Sequence, residues 1–326
     1  MRVKTDPIDA VVMWVDGEDP AHQQKRREYQ DAPEENRTDC GTLEGRFTDV
    51  GEVKYCIYSI RKFAPWIRHI FLVTDDQCPA WLDDAVKEEL GVVVVDHKII
   101  FRDHPEALPT FNTMSILTVL WKIPGIANRY INFNDDIFVI RSVQPDDFFR
   151  GDKPLLRGTW KLQDPPLARR LKRFIKLGIR NRGFANVDWE IHDPHIKGAQ
   201  LAGVTGRYFE TVHAPHTWRR DVQEEFYALH PGILDSNVRY RFRNKMQYGP
   251  SALCAHLLIK SGDAAETGGD DSVMILPRKG GLKDNRWKFD RLGNGTVKFL
   301  CFQDLYFLKR ENIAEFNEAI EFLEST

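Results

Sequence analysis

The chain has 326 residues, a length that suits two domains or one large one. Its 42% apolar and 29% charged residues are the balance of a soluble globular protein, which excludes a disordered or fibrous chain. Lys and Arg number 46 against 48 Asp and Glu, so a net charge of −2 gives no global attraction for nucleic acid.

The polar start (1–7) runs into a short apolar stretch, without the long apolar core of a signal peptide. No apolar run approaches the roughly 18 residues of a membrane span. Five cysteines, odd in number and without a CxxC pair, argue against a disulfide framework or a structural zinc site. The expectation is a cytoplasmic protein.

Residues 8–15 are apolar and rich in β-branched side chains, and read as a buried strand ending at Asp16-Gly17-Glu18-Asp19. A polar helix comes next over 21–30, then an acidic loop over 31–50. Apolar residues recur at helical spacing from Val53 to Phe63, before Pro65. Strands are predicted over 69–74, 92–95 (fully buried) and 129–133, with helices over 80–89 and 112–121 between them. Strands alternating with helices imply a mostly parallel sheet covered on both faces.

In such sheets ligands sit outside the carboxyl ends of the strands. Three predicted strand ends carry carboxylates: Asp16 with Asp19, Asp75 with Asp76, and Asp135 with Asp136. One such carboxylate is usually a turn residue or a helix cap. Three on one sheet edge point to a metal or phosphate site. Paired carboxylates suit Mg²⁺ or Mn²⁺, hard cations that share phosphate oxygens.

From Arg169 to Arg182 seven basic residues and no acidic one interleave with apolar side chains. This reads as a basic amphipathic helix, either a solvated face or a contact for anionic lipid or a polyanionic acceptor. The stretch 211–260 reads as helical and opens with His213-Ala214-Pro215-His216. Pro215 fits a first helical turn, which places His216 at the positive end of the helix dipole and Arg220 one turn later on the same face. A neutral imidazole there suits a general base. Arg239-Tyr240-Arg241-Phe242-Arg243, if extended, puts three guanidinium groups on one face as a pyrophosphate clamp; the plainer alternative is a surface strand. Residues 263–297 read as loops and short strands, 299–302 as a last strand before Gln303-Asp304, and the end as a helix.

These motifs, in this order, resemble the Stealth family, which includes bacterial capsular polysaccharide phosphotransferases and the α/β subunit of the lysosomal-enzyme N-acetylglucosamine-1-phosphotransferase. Four blocks carry the resemblance: 8–19, 46–149 with its Asn134-Asp135-Asp136, 213 to about 262, and 299–304. Met13 departs from the family's frequent Thr, and Gln303 from an expected Asn. The segment 150–210 matches no motif of the family.

The resemblance implies a Rossmann-like, glycosyltransferase-A-like α/β fold with a helical insertion. The expected parts are a nucleotide-sugar core (1–150), a helical and basic insertion (151–262) and a return to the core (263–326). It also implies transfer of a hexose 1-phosphate from a UDP-sugar to a hydroxyl of a polysaccharide or glycolipid acceptor, with release of UMP. His216, Asp136, Arg243 and Arg220 then take catalytic roles. Asp16, Asp19, Trp14, Arg46, Asn112, Asn134 and His213 contact substrate. Asp135, Asp136 and Asp304 hold Mg²⁺ or Mn²⁺. Residues 167–182 touch the inner face of an anionic membrane. The competing readings are a metal-dependent glycosyltransferase that releases UDP, and a non-catalytic module that binds polymer or membrane.

Overall fold

Ile8–Met13 forms β1, and all six of its residues are buried. That requires cover on both faces, which explains a continuous apolar run where a one-sided strand would alternate. The computed structural model describes residues 6–30, 35–38, 47–163, 187–277, 282, 285–293 and 295–325, and of 187–193 the backbone only. Arg46 and the basic stretch 167–182 lie outside the described residues.

After β1 come α1 (Pro20–Gln30), α2 (Glu52–Phe63), β2 (Ile70–Thr74), α3 (Asp84–Leu90), β3 (Val92–Asp96), α4 (His97–Ile100), α5 (Thr113–Val119) and β4 (Arg129–Asn134). The next elements are β5 (Ile137–Val139), β6 (Phe149–Arg150), β7 (Lys153–Leu162), α6 (Val187–Leu201), β8 (Arg207–Thr211), β9 (His216–Arg219), α7 (Arg220–Leu229) and α8 (Pro231–Val238). The chain closes with α9 (Pro250–Ser261), β10 (Ala265–Thr267), β11 (Ser272–Ile275), α10 (Arg286–Gly293), β12 (Phe299–Phe302), α11 (Leu305–Glu311) and α12 (Ile313–Ser325).

The central sheet has the order β3-β2-β1-β4-β9. Its first three pairings are parallel and the last, β4 with β9, is antiparallel. The expected mostly parallel α/β sheet is therefore present. Alternate residues of β1 feed two cores: Ala10 and Val12 pack with α2, while Val11 and Met13 pack with α5 and α9. Two smaller sheets, β10-β7-β6 (with β8 on β7) and β11-β12-β5, flank it. No helix among the described residues is long and apolar enough to cross a membrane.

Asp9 is the one carboxylate inside β1, and it is fully buried. It accepts from Arg68 Nε (2.9 Å) and Nη2 (2.6 Å) and from the amide of Ala127 (2.7 Å), tying β1 to the loops before β2 and β4. Asp9→Ala is expected to lower stability by about 2–3 kcal/mol, because charged hydrogen bonds are lost and a buried amide is stranded. Part of the Arg68 charge rehydrates, since its side chain is 38% exposed. Urea unfolding with an unchanged slope and a lower midpoint would confirm this; an unchanged midpoint would refute it.

Four expectations need correction. Residues 92–95 are not fully buried: β3 is the sheet edge, and Val93 is 40% exposed. The segment 151–262 is not simply helical, since β7, β8 and β9 lie within it and β9 joins the central sheet. His213–His216 does not open a helix: it leads into β9, and the helix starts only at Arg220. Finally, 239–243 is an irregular loop between α8 and α9, not an extended strand.

Candidate active site

The strand order β3-β2-β1-β4 reverses direction between β1 and β4. A doubly wound sheet opens its crevice at such a point, outside the carboxyl ends of the two strands. Met13 at the end of β1 pairs with Asn134 at the end of β4. Asp16 comes after the first strand, and Asp135 and Asp136 come after the second. The two carboxylate groups thus follow the neighbouring carboxyl ends of β1 and β4.

The turn from β4 to β5 is pinned through its backbone. The Phe302 amide donates to the Asp136 carbonyl (2.9 Å), and the Cys56 thiol reaches the Asn134 carbonyl (3.6 Å). On β12 the Cys301 thiol lies 3.7 Å from Asp136 Oδ2. Burial, and then Asp136 and Asp49, push the Asp135 carboxyl up to about 8. Burial, and then Asp135, hold Glu52 well above the carboxylate range. The Cys301 thiol is raised by burial and by Asp136, Asp135 and Asp304, which places Asp304 in the same field. Carboxylates that raise one another are a concentration of negative charge with too little counter-charge nearby. The donor set is all oxygen and suits a hard divalent cation. As they stand, no three His, Cys, Asp or Glu side chains among the described residues converge closely enough to hold a metal alone.

β9 carries the histidine motif. His216 pairs with Asn132, two residues before Asn134 on β4. Opposed residues of an antiparallel pair, and residues two apart on one strand, share a face. His216 therefore stands on the same face as Asn132 and Asn134, about 7 Å along the strand from the acidic end. Burial, and then His213, His195 and Arg157, push its imidazole down to about 4. Its neutrality thus comes from burial and neighbouring positive charge, not from the helix dipole expected from the sequence. His213 is exposed, yet packing around its ring, and then His195 and Arg243, lower it too, while Glu210 opposes them. A small cavity is lined by Arg157, His216, Thr217 and Ser251; the acidic turn is not among its walls.

The arginines separate. Arg243 lies close enough to His213 to depress it. Arg241 is used structurally: it donates to the carbonyls of Glu106 (3.0 Å) and Leu108 (3.2 Å) and stacks on Tyr29. Arg239 bonds to the neighbouring Tyr240 hydroxyl (2.7 Å). Arg220 is not brought to this edge. Its amide bonds to Asn128 before β4, at the opposite end of the sheet, and its side chain pairs with Glu224 (3.8 Å).

The remaining predicted contacts divide. Asp16 accepts from the Glu18 amide (2.8 Å), and its own amide donates to Gln77 Oε1 (2.9 Å). Gly17 closes this turn against Phe47, where a Cβ would meet the Phe47 carbonyl oxygen at 2.0 Å. Asp19 caps α1 by accepting from the His22 amide (2.7 Å), the cap role that such a residue usually plays. Trp14 is buried in the core, and its indole N–H has no hydrogen-bond partner among the described residues. Asn112 is fully enclosed, with its amide nitrogen engaged by three protein acceptors, so it is not a substrate contact.

Sequence reasoning missed Asp49, inside the acidic loop, and Glu52, just before the predicted helix. It also missed a polar corner at the ends of β2 and β3. There Thr74 Oγ1, His22 Nδ1 and His97 Nδ1 are buried without hydrogen-bond partners among the described residues, beside Asp75, which pairs with Lys25 (3.3 Å). Burial pushes His97 down to about 4 and lowers His22. Unpartnered polar atoms this deep are rare in a finished core and are candidates for ligand contact.

Two family models match the chain: Stealth protein conserved region 1 over residues 6–32 and conserved region 2 over residues 46–155. A capsular polysaccharide phosphotransferase of Actinobacillus suis is 40% identical over 150 residues, which is 46% of this chain and 40% of the relative. The chain thus spans about two fifths of that relative's length. The exopolysaccharide phosphotransferase cps2G of Lactiplantibacillus plantarum is 28% identical over 98% of this chain and 92% of its own. Among solved structures, mouse xyloside xylosyltransferase 1 aligns with a TM-score of 0.42 and 11% identity, over 90% of this chain and 97% of that one. The galactosyltransferase LgtC aligns with a TM-score of 0.38 and 12% identity, over 90% and 87%. Conserved regions 1 and 2 of the Stealth proteins are thus both present in this chain and in order, and 46–155 contains the block that ends in the acidic turn.

Proposed function

We propose that this chain transfers a hexose 1-phosphate from a UDP-sugar to a hydroxyl of a capsular or exopolysaccharide acceptor. The names of the polysaccharide phosphotransferases to which it is similar support that reaction class. The observation that supports the reading is the carboxyl-terminal half of β4. The Asp135–Asp136 turn follows that strand, and a neutral His216 on the adjoining β9 pairs with Asn132, three residues before Asp135.

The acceptor oxygen attacks the phosphorus joined to the sugar. The bond from that phosphorus to the bridging oxygen of the diphosphate breaks, and UMP leaves. His216 takes the hydroxyl proton as general base. Arg243 offsets charge on the phosphoryl oxygens. Asp135, Asp136 and Asp304 would hold Mg²⁺ or Mn²⁺, which supplies electrostatic stabilisation of the diphosphate. Trp14, Asp16 and the polar corner of Thr74, His22 and His97 receive the base and ribose. His213 and Asn134 face the sugar and acceptor. The stretch 167–182 engages an anionic membrane or the polymer.

Incubation with a UDP-sugar, Mg²⁺ and a short acceptor tests this directly. The expected nucleotide product is UMP, one per sugar phosphate transferred. UDP as the sole product would mean that the sugar–oxygen bond breaks instead, and would overturn the proposal.

A further inference from the structure

Arg243 sits in a loop without regular structure, yet four consecutive carbonyls of that loop are each held. Tyr240 accepts from Asn112 Nδ2 (3.0 Å) and Ser115 Oγ (2.9 Å). Arg241 accepts from the Phe111 amide (2.8 Å), Phe242 from Asn112 Nδ2 (2.8 Å), and Arg243 from the Thr38 amide (2.8 Å). Asn112 also reaches Gln247 Oε1 (2.9 Å), the same oxygen that accepts the Asn244 amide (3.0 Å). Gln247 Nε2 in turn donates to the Asn237 carbonyl (2.8 Å) and toward Ser115 Oγ (3.2 Å). Asn112, Ser115, Asn237 and Gln247 are all at most 1% exposed.

A satisfied buried network of this kind fixes one conformation, and a half-satisfied one is costly. Asn112 occupies its place because it caps α5, accepting from the Met114 amide (3.1 Å), which leaves its amide nitrogen aimed at the loop. The block before α5 thus has a use that its burial hides from substrate.

We propose that Asn112, backed by Gln247, is a positioning residue that preorganises Arg243 for the phosphoryl group. The inference rests on the transfer reading above. A guanidinium that must meet a developing charge gains from being fixed in advance, and a shift of about 1 Å in such a group can cost about a hundredfold in rate.

A double-mutant cycle on the full chain tests this, with hydrogen exchange of residues 240–247 as a readout independent of turnover. Asn112→Ala should lower kcat/KM by about ten- to a hundredfold. In an Arg243→Ala background the same change should cost less than about twofold, because its route of action is already gone. Protection of 240–247 should fall in Asn112→Ala. If Asn112→Ala melts too low to assay, Gln247→Leu takes its place in the cycle with the same expectation. Additive losses would overturn the inference, as would full activity of Arg243→Ala beside an impaired Asn112→Ala. If the parent chain transfers no sugar phosphate, the reaction assignment fails. Exchange then still decides the structural part: unchanged protection would refute it and lost protection would uphold it.

Discussion

Asp136→Ala is expected to reduce turnover by at least about a hundredfold and to leave the melting temperature unchanged or higher. The two halves of this result have one cause. The Asp136 backbone is held by the Phe302 amide, so the turn keeps its shape without the side chain. The lost carboxylate is one of the charges that push Asp135 up to about 8. Removing it relieves repulsion in the folded state while taking away a charge the reaction needs. The pH dependence fixes the sign. Asp135 keeps in the folded chain a proton that the unfolded chain releases near pH 4, so stability is lost as pH rises from about 4 through about 8. That loss should shrink in Asp136→Ala, where Asp135 moves back toward the carboxylate range. Added Mg²⁺ or Mn²⁺ should raise the melting temperature of the parent more at pH 8 than at pH 5. Parent-like turnover would remove Asp136 from the site. A large fall in melting temperature would make it a structural residue.

The half of the candidate site on β1 and β4 was legible as positions at the sheet edge, because buried parallel strands are continuous apolar runs and the polar residue just past each run lands there. Asp16, Asp135 and Asp136 stand out for that reason, as does Asp304 after β12. The other half was not legible. β9 is a four-residue edge strand, His216–Arg219, too short for a period to show, and Pro215 before it mimics the first turn of a helix. That error carried Arg220 toward the site, although the strand in fact takes it to the opposite end of the sheet. β7 (Lys153–Leu162) breaks the alternation with Pro154 and Gly158; at Gly158 an added Cβ would meet the Glu210 carbonyl oxygen at 2.3 Å, so the glycine permits the close pairing with β8. Glu52 lies in the first turn of α2, where the dipole welcomes an acid. Its approach to Asp135 is a tertiary fact. Asn112 carried the right motif and the wrong role, because a motif marks that a residue matters without saying whether it faces ligand or backbone.

His216→Ala should cost at least about a hundredfold in kcat, with little change in donor KM, if the imidazole accepts the acceptor's proton. The pH profile separates this role from a structural one. An ordinary imidazole, titrating near 6.5, would impose an acid limb close to neutrality. His216 is held down to about 4 by burial, His213, His195 and Arg157, so its proton-accepting form persists well below pH 6. The parent's kcat/KM should therefore show no histidine limb between pH 7 and 5, and should fall only as pH approaches 4. The same shift has a stability consequence of fixed sign. Below about pH 6.5 the unfolded chain binds a proton at this residue that the folded chain refuses, so stability is lost as pH falls from 6.5 toward 4, and His216→Ala should flatten that loss. Titration of the His216 ring by NMR gives the value without reference to catalysis. A ring that titrates near 6.5, or a His216→Ala enzyme with parent-like turnover, would require the proton to leave by another group. His213, exposed on the loop that leads into β9, would be the next to test.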